Sequence, residues 1–378
     1  MNITTHRDTD LKEFQRAVIQ RKTKKVIFQP RICCWYDDRR FLNQPFPAPY
    51  TDMDLVQIYK KLGVSSRGYE FNACQSIVYD PRISFETKQI GPREWQQVMH
   101  TPKGDLTKAW KGNDSNGGSY ETKWFITSEE EMEIHRWVLE NSTWKWDTEK
   151  CEELTKIWGF GGLPSIYMDR VNVQYLMHNV MGIEDGIFAL YDYPETVEKY
   201  FQAMHEFQDR QIDMIINQSP LEIVNFGDNI HCSILPADLF EKYVLPEYQY
   251  RTDRLRSAGV FTHAHWDGDV KTLLPYVQET GLDGVEAVTP IPQGDVSLKE
   301  VKKYFGDNIF LLDGIAALLF DPNLYPIEAL EDQVRECLEL FGGQLIMGIS
   351  DELASTGTLD RVEHVRDMVD EYNSQIKE

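Results

Sequence analysis

In the second half of the chain, short apolar runs alternate with segments of helical periodicity, and each run leads to an ionisable side chain. Residues 221–224 lead to Asp228, 259–262 to His263 and His265, 284–285 to Glu286, 309–312 to Asp313, and 345–349 to Asp351. Strand-length runs separated by helical segments predict βαβ units and a parallel sheet. In a (β/α)8 TIM barrel all strand C-terminal ends meet at one face, where barrel enzymes do their chemistry. The pattern therefore predicts an α/β barrel whose mouth carries a ring of acids and histidines.

The first 160 residues follow a different pattern. An amphipathic helix is expected over 8–22, with Leu11, Phe14, Ala17 and Val18 on one face and Asp8 or Thr9 as cap. A strand at 25–29 follows, then a Pro- and aromatic-rich loop at 41–50, a helix at 54–62, and short strands at 68–72 and 75–79. Residues 83–125 read as an antiparallel excursion around the Gly/Asn/Ser tract 111–119. Ser128 opens a capping-box helix to Glu140. A strand over 163–168, two helices over 184–190 and 194–217, and a helix over 270–280 complete the reading. A single domain, 1–378, is expected: an elaborated N-terminal segment (1–160, cap and inserted loops) on core βα repeats (161–378).

Composition narrows the class. A hydrophobic content of 42% allows a full core. A net charge of −22 and the absence of a Lys/Arg stripe argue against nucleic acid. Six cysteines without a CxxC pair suit a reducing, cytoplasmic setting. No apolar run approaches the roughly 20 residues that span a bilayer, and residues 1–24 are too polar for a signal peptide. Phosphate-loop and GxSxG motifs are missing.

The candidate chemistry lies at the strand ends. His263 and His265, two apart in a strand, face one side and form a His-x-His pair able to offer imidazoles to a metal. Glu286 is a poor strand former closing a strand, so it asks for a cation or an arginine. Asp351 follows Met347-Gly-Ile-Ser and is read the same way, while Asp228 and Asp313 also satisfy turn chemistry. Mixed His and carboxylate ligands suit zinc with three protein ligands, and equally iron or manganese.

These pieces, in order, resemble the uroporphyrinogen decarboxylase superfamily in its branch of cobalamin-dependent methyltransferases. They are Asp228-Asn with Leu235-Pro-Ala-Asp-Leu-Phe-Glu-Lys-Tyr-Val-Leu-Pro246, His265-Trp-Asp-Gly-Asp, Gly281-Leu-Asp-Gly-Val-Glu286, Phe310-Leu-Leu-Asp-Gly-Ile315 and Gly348-Ile-Ser-Asp351. The resemblance spans roughly 160–375 and implies a TIM barrel. The arginine-rich N-terminal motif of true uroporphyrinogen decarboxylases is missing: the comparable stretch here is Gln29-Pro-Arg-Ile-Cys-Cys-Trp-Tyr. The methyltransferases' zinc-binding His-x-Cys and later Cys fall on His265, Asp267 and Asp351, so both thiolates become carboxylates. Harder ligands suit an ether oxygen better than a thiol.

The resemblance thus implies a zinc-dependent methyltransferase, with zinc held by His265, Glu286 and Asp351. It would move a methyl group from a methoxylated, aromatic compound to the cob(I)alamin of a corrinoid protein. Asp228 or His263 would protonate or orient the oxygen, and Trp35 and Tyr36 would contribute to a substrate pocket. Whether His263 or Asp267 is a ligand stays open. The expected partners are a corrinoid protein, the small methylated substrate and a second copy of the chain. The competing expectations are a metal-independent decarboxylase using Arg31, Arg39 or Arg40, and a non-catalytic accessory subunit of a corrinoid protein.

Overall fold

The apolar runs become an all-parallel sheet in the computed structural model, which describes residues 10–67 and 69–377. Its strands, numbered along the chain, are β1 (Ile27–Phe28), β8 (Ser165–Met168), β9 (Ile223–Phe226), β10 (Phe261–His265), β11 (Gly284–Glu286), β12 (Phe310–Ala316) and β13 (Leu345–Ser350). The order is β1-β13-β12-β11-β10-β9-β8, with every pairing parallel. The sheet curls as in a TIM barrel, the expected fold class. The eighth stave is irregular. At residues 64–67, Ser65 donates its N–H to Phe28 O at 3.1 Å and Ser66 donates to Gly161 O at 2.9 Å. A Cβ on Gly161 would lie 1.9 Å from Ser66 Oγ, so this close approach needs a glycine.

The first helix plugs the barrel floor. It runs Leu11–Ile19, capped by Asp10, whose side chain accepts from the Lys12 and Glu13 N–H groups. Asp8 and Thr9, the expected caps, lie outside the described residues. Leu11 and Val18 join Ile27, Leu163, Ile223, Phe261, Phe310, Leu312 and Ile346 in one buried cluster. Most of these open their strands, so the apolar layer fills the N-terminal end and leaves polar side chains for the C-terminal end.

The chain divides into two compact units. One takes the residues up to Ala73, Glu149–Met168 and the chain from Leu221 on, and contains the barrel sheet. The other comprises Cys74–Thr148 and Asp169–Pro220. In it β2 (Gln75–Val78) pairs with β7 (Thr143–Trp146), and β3 (Ser84–Gly91), β4 (Glu94–Thr101), β5 (Gly104–Gly112) and β6 (Ser119–Lys123) form the expected antiparallel excursion. Ser128 caps the helix Glu129–Glu140, and the helix pair is observed as Ile183–Asp192 and Pro194–Gln218.

Two local expectations need correction. Tyr69–Cys74 is a 3₁₀ helix, not a strand. Between 270 and 280 only Leu274–Glu279 is helical, as a 3₁₀ turn. There Pro275 falls in the first turn, and the Val270 and Lys271 N–H groups are taken by the remote Asp295 carboxylate.

Candidate metal centre

Parallel register sets His265, the last residue of β10, opposite Glu286, the last residue of β11. His265 Nδ1 lies 2.7 Å from Glu286 Oε1. A carboxylate only accepts, so Nδ1 carries a hydrogen toward Glu286, and Nε2 faces the mouth as the atom a metal would take on displacing its proton. His265 Nε2 is 3.7 Å from Asp267 Oδ2 and 3.5 Å from Asp351 Oδ1. Asp267 follows β10 directly and takes a 3.4 Å contact from Asn229 Nδ2. Asp351 follows β13 directly and accepts from Arg31 Nη1 at 2.8 Å.

The three donor atoms lie within 4.8 Å of one another. The two His265 separations are long for hydrogen bonds. They are close to the edge of a tetrahedron with zinc–ligand bonds of about 2.0–2.2 Å, which is roughly 3.3–3.6 Å. The Asp351 side chain is 43% exposed, leaving one side of the position open. The residues fit a small divalent metal with an open coordination site.

Beneath this triad a second set of charges is buried and cross-linked through Glu286 and Arg67. Glu286 accepts from Arg67 Nη1 (2.7 Å), Asn225 Nδ2 (2.7 Å) and His265, and His263 Nδ1 stands 3.3 Å from its Oε2. Arg67 also grips Asp313 with both terminal nitrogens, at 2.8 and 3.2 Å, and gives its Nε–H to Gln29 Oε1 at 3.2 Å. Asp313 adopts a left-handed φ of 77°. Its register partner on β13 is Met347, and on the next residue, Gly348, a Cβ would lie 2.4 Å from Asp313 Oδ1. At the mouth, Arg31 ties Asp351 to Glu352, with Nη2 donating to Glu352 Oε1 at 2.6 Å. The Arg31 guanidinium lies over the ring of Tyr69, 4.9 Å from its centroid, and Tyr69 stacks on Tyr167 at 4.7 Å.

Burial alone would favour neutral forms, but the network overrides it at two positions. Burial pulls the His265 imidazolium down, yet the Asp267 and Glu286 carboxylates hold it up at about 9. Burial pushes the Glu286 carboxyl up, but Arg67 and the two imidazoles hold it well below the usual range. Asp313 and Asp351 are raised, burial outweighing Arg67 for the first and Arg31 for the second.

The structure thus brings His265 and Asp351 together with Asp267, and sets Glu286 behind His265 against Arg67. His263 lies below, beside Glu286. Asp228 is buried and accepts from Tyr248 Oη at 2.7 Å, in the helix Leu245–Ser257. Trp35 is fully buried, giving its Nε1–H to Gly357 O, and Tyr36 stacks on Phe46, so both pack the helix Cys33–Phe41 and its following loop. The sequence reading did not single out Arg67, Asn225, Glu352 or Tyr167. Arg67 had a signal: Val64-Ser-Ser-Arg67 repeats the phrase of an apolar or small run ending in a charge.

Among the described residues no helix is long and apolar enough to cross a membrane. No curated protein sequence matches this chain significantly. Among solved structures, the chain is similar to a methyltransferase from Methanosarcina mazei, with 13% identity over 96% of this chain and 99% of that one, and a TM-score of 0.59. It also matches a B12-independent methionine synthase from Shewanella sp. W3-18-1 in complex with selenomethionine, at 8% identity over 93% and 96% of the two chains, with a TM-score of 0.45. At 13% identity the likeness to the first speaks for the fold alone. The model of the family described as Uroporphyrinogen decarboxylase (URO-D) matches residues 173–372, more than half of the sequence. With the parallel barrel and its polar mouth, that match makes the chain a member of the uroporphyrinogen decarboxylase family.

Proposed function

We propose that the chain is a zinc-dependent methyltransferase that moves a methyl group from a methoxylated aromatic compound to the cob(I)alamin of a separate corrinoid protein. The observation that carries the reading is the convergence of His265 Nε2, Asp267 Oδ2 and Asp351 Oδ1 within 4.8 Å at the barrel mouth. His265, Asp267 and Asp351 would hold the metal, and Glu286 would orient His265 from behind. Two carboxylates make a harder site than thiolates would, matched to an oxygen leaving group. When bound, the metal would supply Lewis-acid polarisation of the ether oxygen.

The protein's own groups do the positioning. Glu286 fixes the His265 tautomer and ring plane, and Arg67 and Asn225 fix Glu286. Arg31 holds Asp351 and Glu352 together, and the stacked Tyr69 and Tyr167 rings supply a flat apolar wall beside it. Asp228, engaged with Tyr248, is left as support for the loop that carries Asn229. The aryloxide released takes its proton from water on the open side of Asp351.

The test is a methyl-transfer assay with zinc-replete protein, a corrinoid protein reduced to the cob(I) state and a panel of methoxyarenes. Loss of the cob(I) absorbance with matching methylcobalamin formation, abolished in His265→Ala, is the expected result. No transfer from any methoxyarene would overturn the reading.

A further inference from the structure

The sheet β3-β4-β5-β6 ends in two edge strands, β3 and β6. Strand β3 has eight residues, and Ser84–Ile90 are all exposed, on both faces. Its backbone pairs with β4, and its outer edge has no backbone partner among the described residues. Phe85 and Ile90, 41% and 51% exposed, lie on opposite faces beside that edge. An open edge of this length is a template for another strand, and chains ordinarily blunt it with charge, bulges or cover. The irregularity of β3 falls at its end, between Gln89 and Gly91, and leaves Ser84–Gln89 in regular register.

This edge is complementary to itself in one register. Antiparallel strands pair residues whose backbone groups point the same way, so a two-fold axis between two copies passes through a residue. An axis at Glu86 sets that carboxylate against its own copy, and an axis at Lys88 does the same with two ammonium groups; both registers are destabilised. An axis at Thr87 pairs Thr87 with Thr87, and Glu86 with Lys88 twice. It also aligns Ser84–Ile90 in full and stops short of Gly91. Within the chain Glu86 meets His100 Nε2 at 3.9 Å, beyond hydrogen-bond distance, so its carboxylate can turn to an outside partner. The opposite edge is different. Strand β6 has five residues, pairs β5 across a register shift at Ala109/Trp110, and in full two-fold overlap sets Glu121 against Glu121.

We infer that a second copy of the chain docks on β3, edge to edge and antiparallel about Thr87, so that the sheet continues from one copy into the other. The backbone hydrogen bonds of the new ladder hold the copies together. The two Glu86–Lys88 pairs fix the register, and the same charges repel strands that arrive in the neighbouring registers.

Sedimentation of the full chain at micromolar concentration, beside charge and cysteine variants, tests this. The unmodified protein is expected to be a dimer. Lys88→Glu and Glu86→Lys each set like charges opposite one another and should weaken association about tenfold or more. The double variant Glu86→Lys, Lys88→Glu restores opposite charges in the same register and should dimerise like the unmodified protein. Thr87→Cys puts two thiols on the axis, within disulfide reach, and should give a cross-linked dimer on mild oxidation that the unmodified protein does not give. A monomer, an assembly larger than a dimer, or a dimer indifferent to Lys88→Glu would overturn the proposal. So would a double variant no better than the single ones, or a Thr87→Cys protein that fails to cross-link.

Discussion

Glu286 has both carboxylate oxygens engaged inside the protein, on Arg67, Asn225 and His265. A group so placed acts on a metal through the histidine it orients. Glu286→Gln keeps a similar shape and an acceptor but removes the charge that draws the His265 hydrogen. It should weaken metal affinity about 10–100-fold, measured by competition with a chelator; unchanged affinity would remove Glu286 from the site. Arg67 neutralises two buried carboxylates at once. Arg67→Met leaves both uncompensated and should cost about 3–5 kcal/mol in denaturant unfolding. A loss below 1 kcal/mol would mean that Glu286 and Asp313 relax to other partners. Of these residues the strand-end acids and His265 were legible in the sequence, because an ionisable group closing an apolar run stands out. Glu286 was legible as chemistry but not as a role: its register opposite His265 and its arginine are long-range facts.

At the scale of elements, the helix Leu11–Ile19 and the antiparallel unit make separable contributions. The helix buries Leu11 and Val18 against the strand starts, far along the strands from the triad. Leu11→Ala should destabilise the fold by about 2–5 kcal/mol while metal stoichiometry of the folded protein stays the same; a loss of metal in the folded variant would contradict this separation. In the other unit, His135 is a buried residue of the helix Glu129–Glu140, with its Nδ1 3.0 Å from Tyr200 Oη. Burial lowers its pKa to about 4. The unfolded chain therefore binds a proton that the folded one refuses between about pH 6.5 and pH 4, so stability falls as pH drops through that window. Up to roughly 3 kcal/mol should be lost there and not in His135→Gln, as read from denaturation midpoints at stepped pH. An identical pH dependence in both proteins would rule out His135 as its source.

Helices with clear caps and stripes, such as Leu55–Leu62 behind Asp54, were readable because their signals are local. The stretch 270–280 was misread because its first N–H groups are satisfied by Asp295, some two dozen residues away. The eighth stave escaped for a similar reason, since Val64-Ser-Ser-Arg67 has no alternation and is held by contacts to Phe28 and Gly161.

For the whole molecule, five apolar runs with charged ends were enough to predict a barrel with a polar mouth. Parallel strands must be crossed over by helices, and their C-terminal ends must then converge. What periodicity could not supply was which of the converging groups face one another and which are already paired. The account's central claim is that His265, Asp267 and Asp351 form one metal position. Elemental analysis of the purified protein beside a His265→Ala variant tests it most directly. About one zinc per chain in the unmodified protein, lost in the variant, is the predicted result. A metal-free protein that cannot be reconstituted with zinc, or one whose zinc survives His265→Ala, would contradict it.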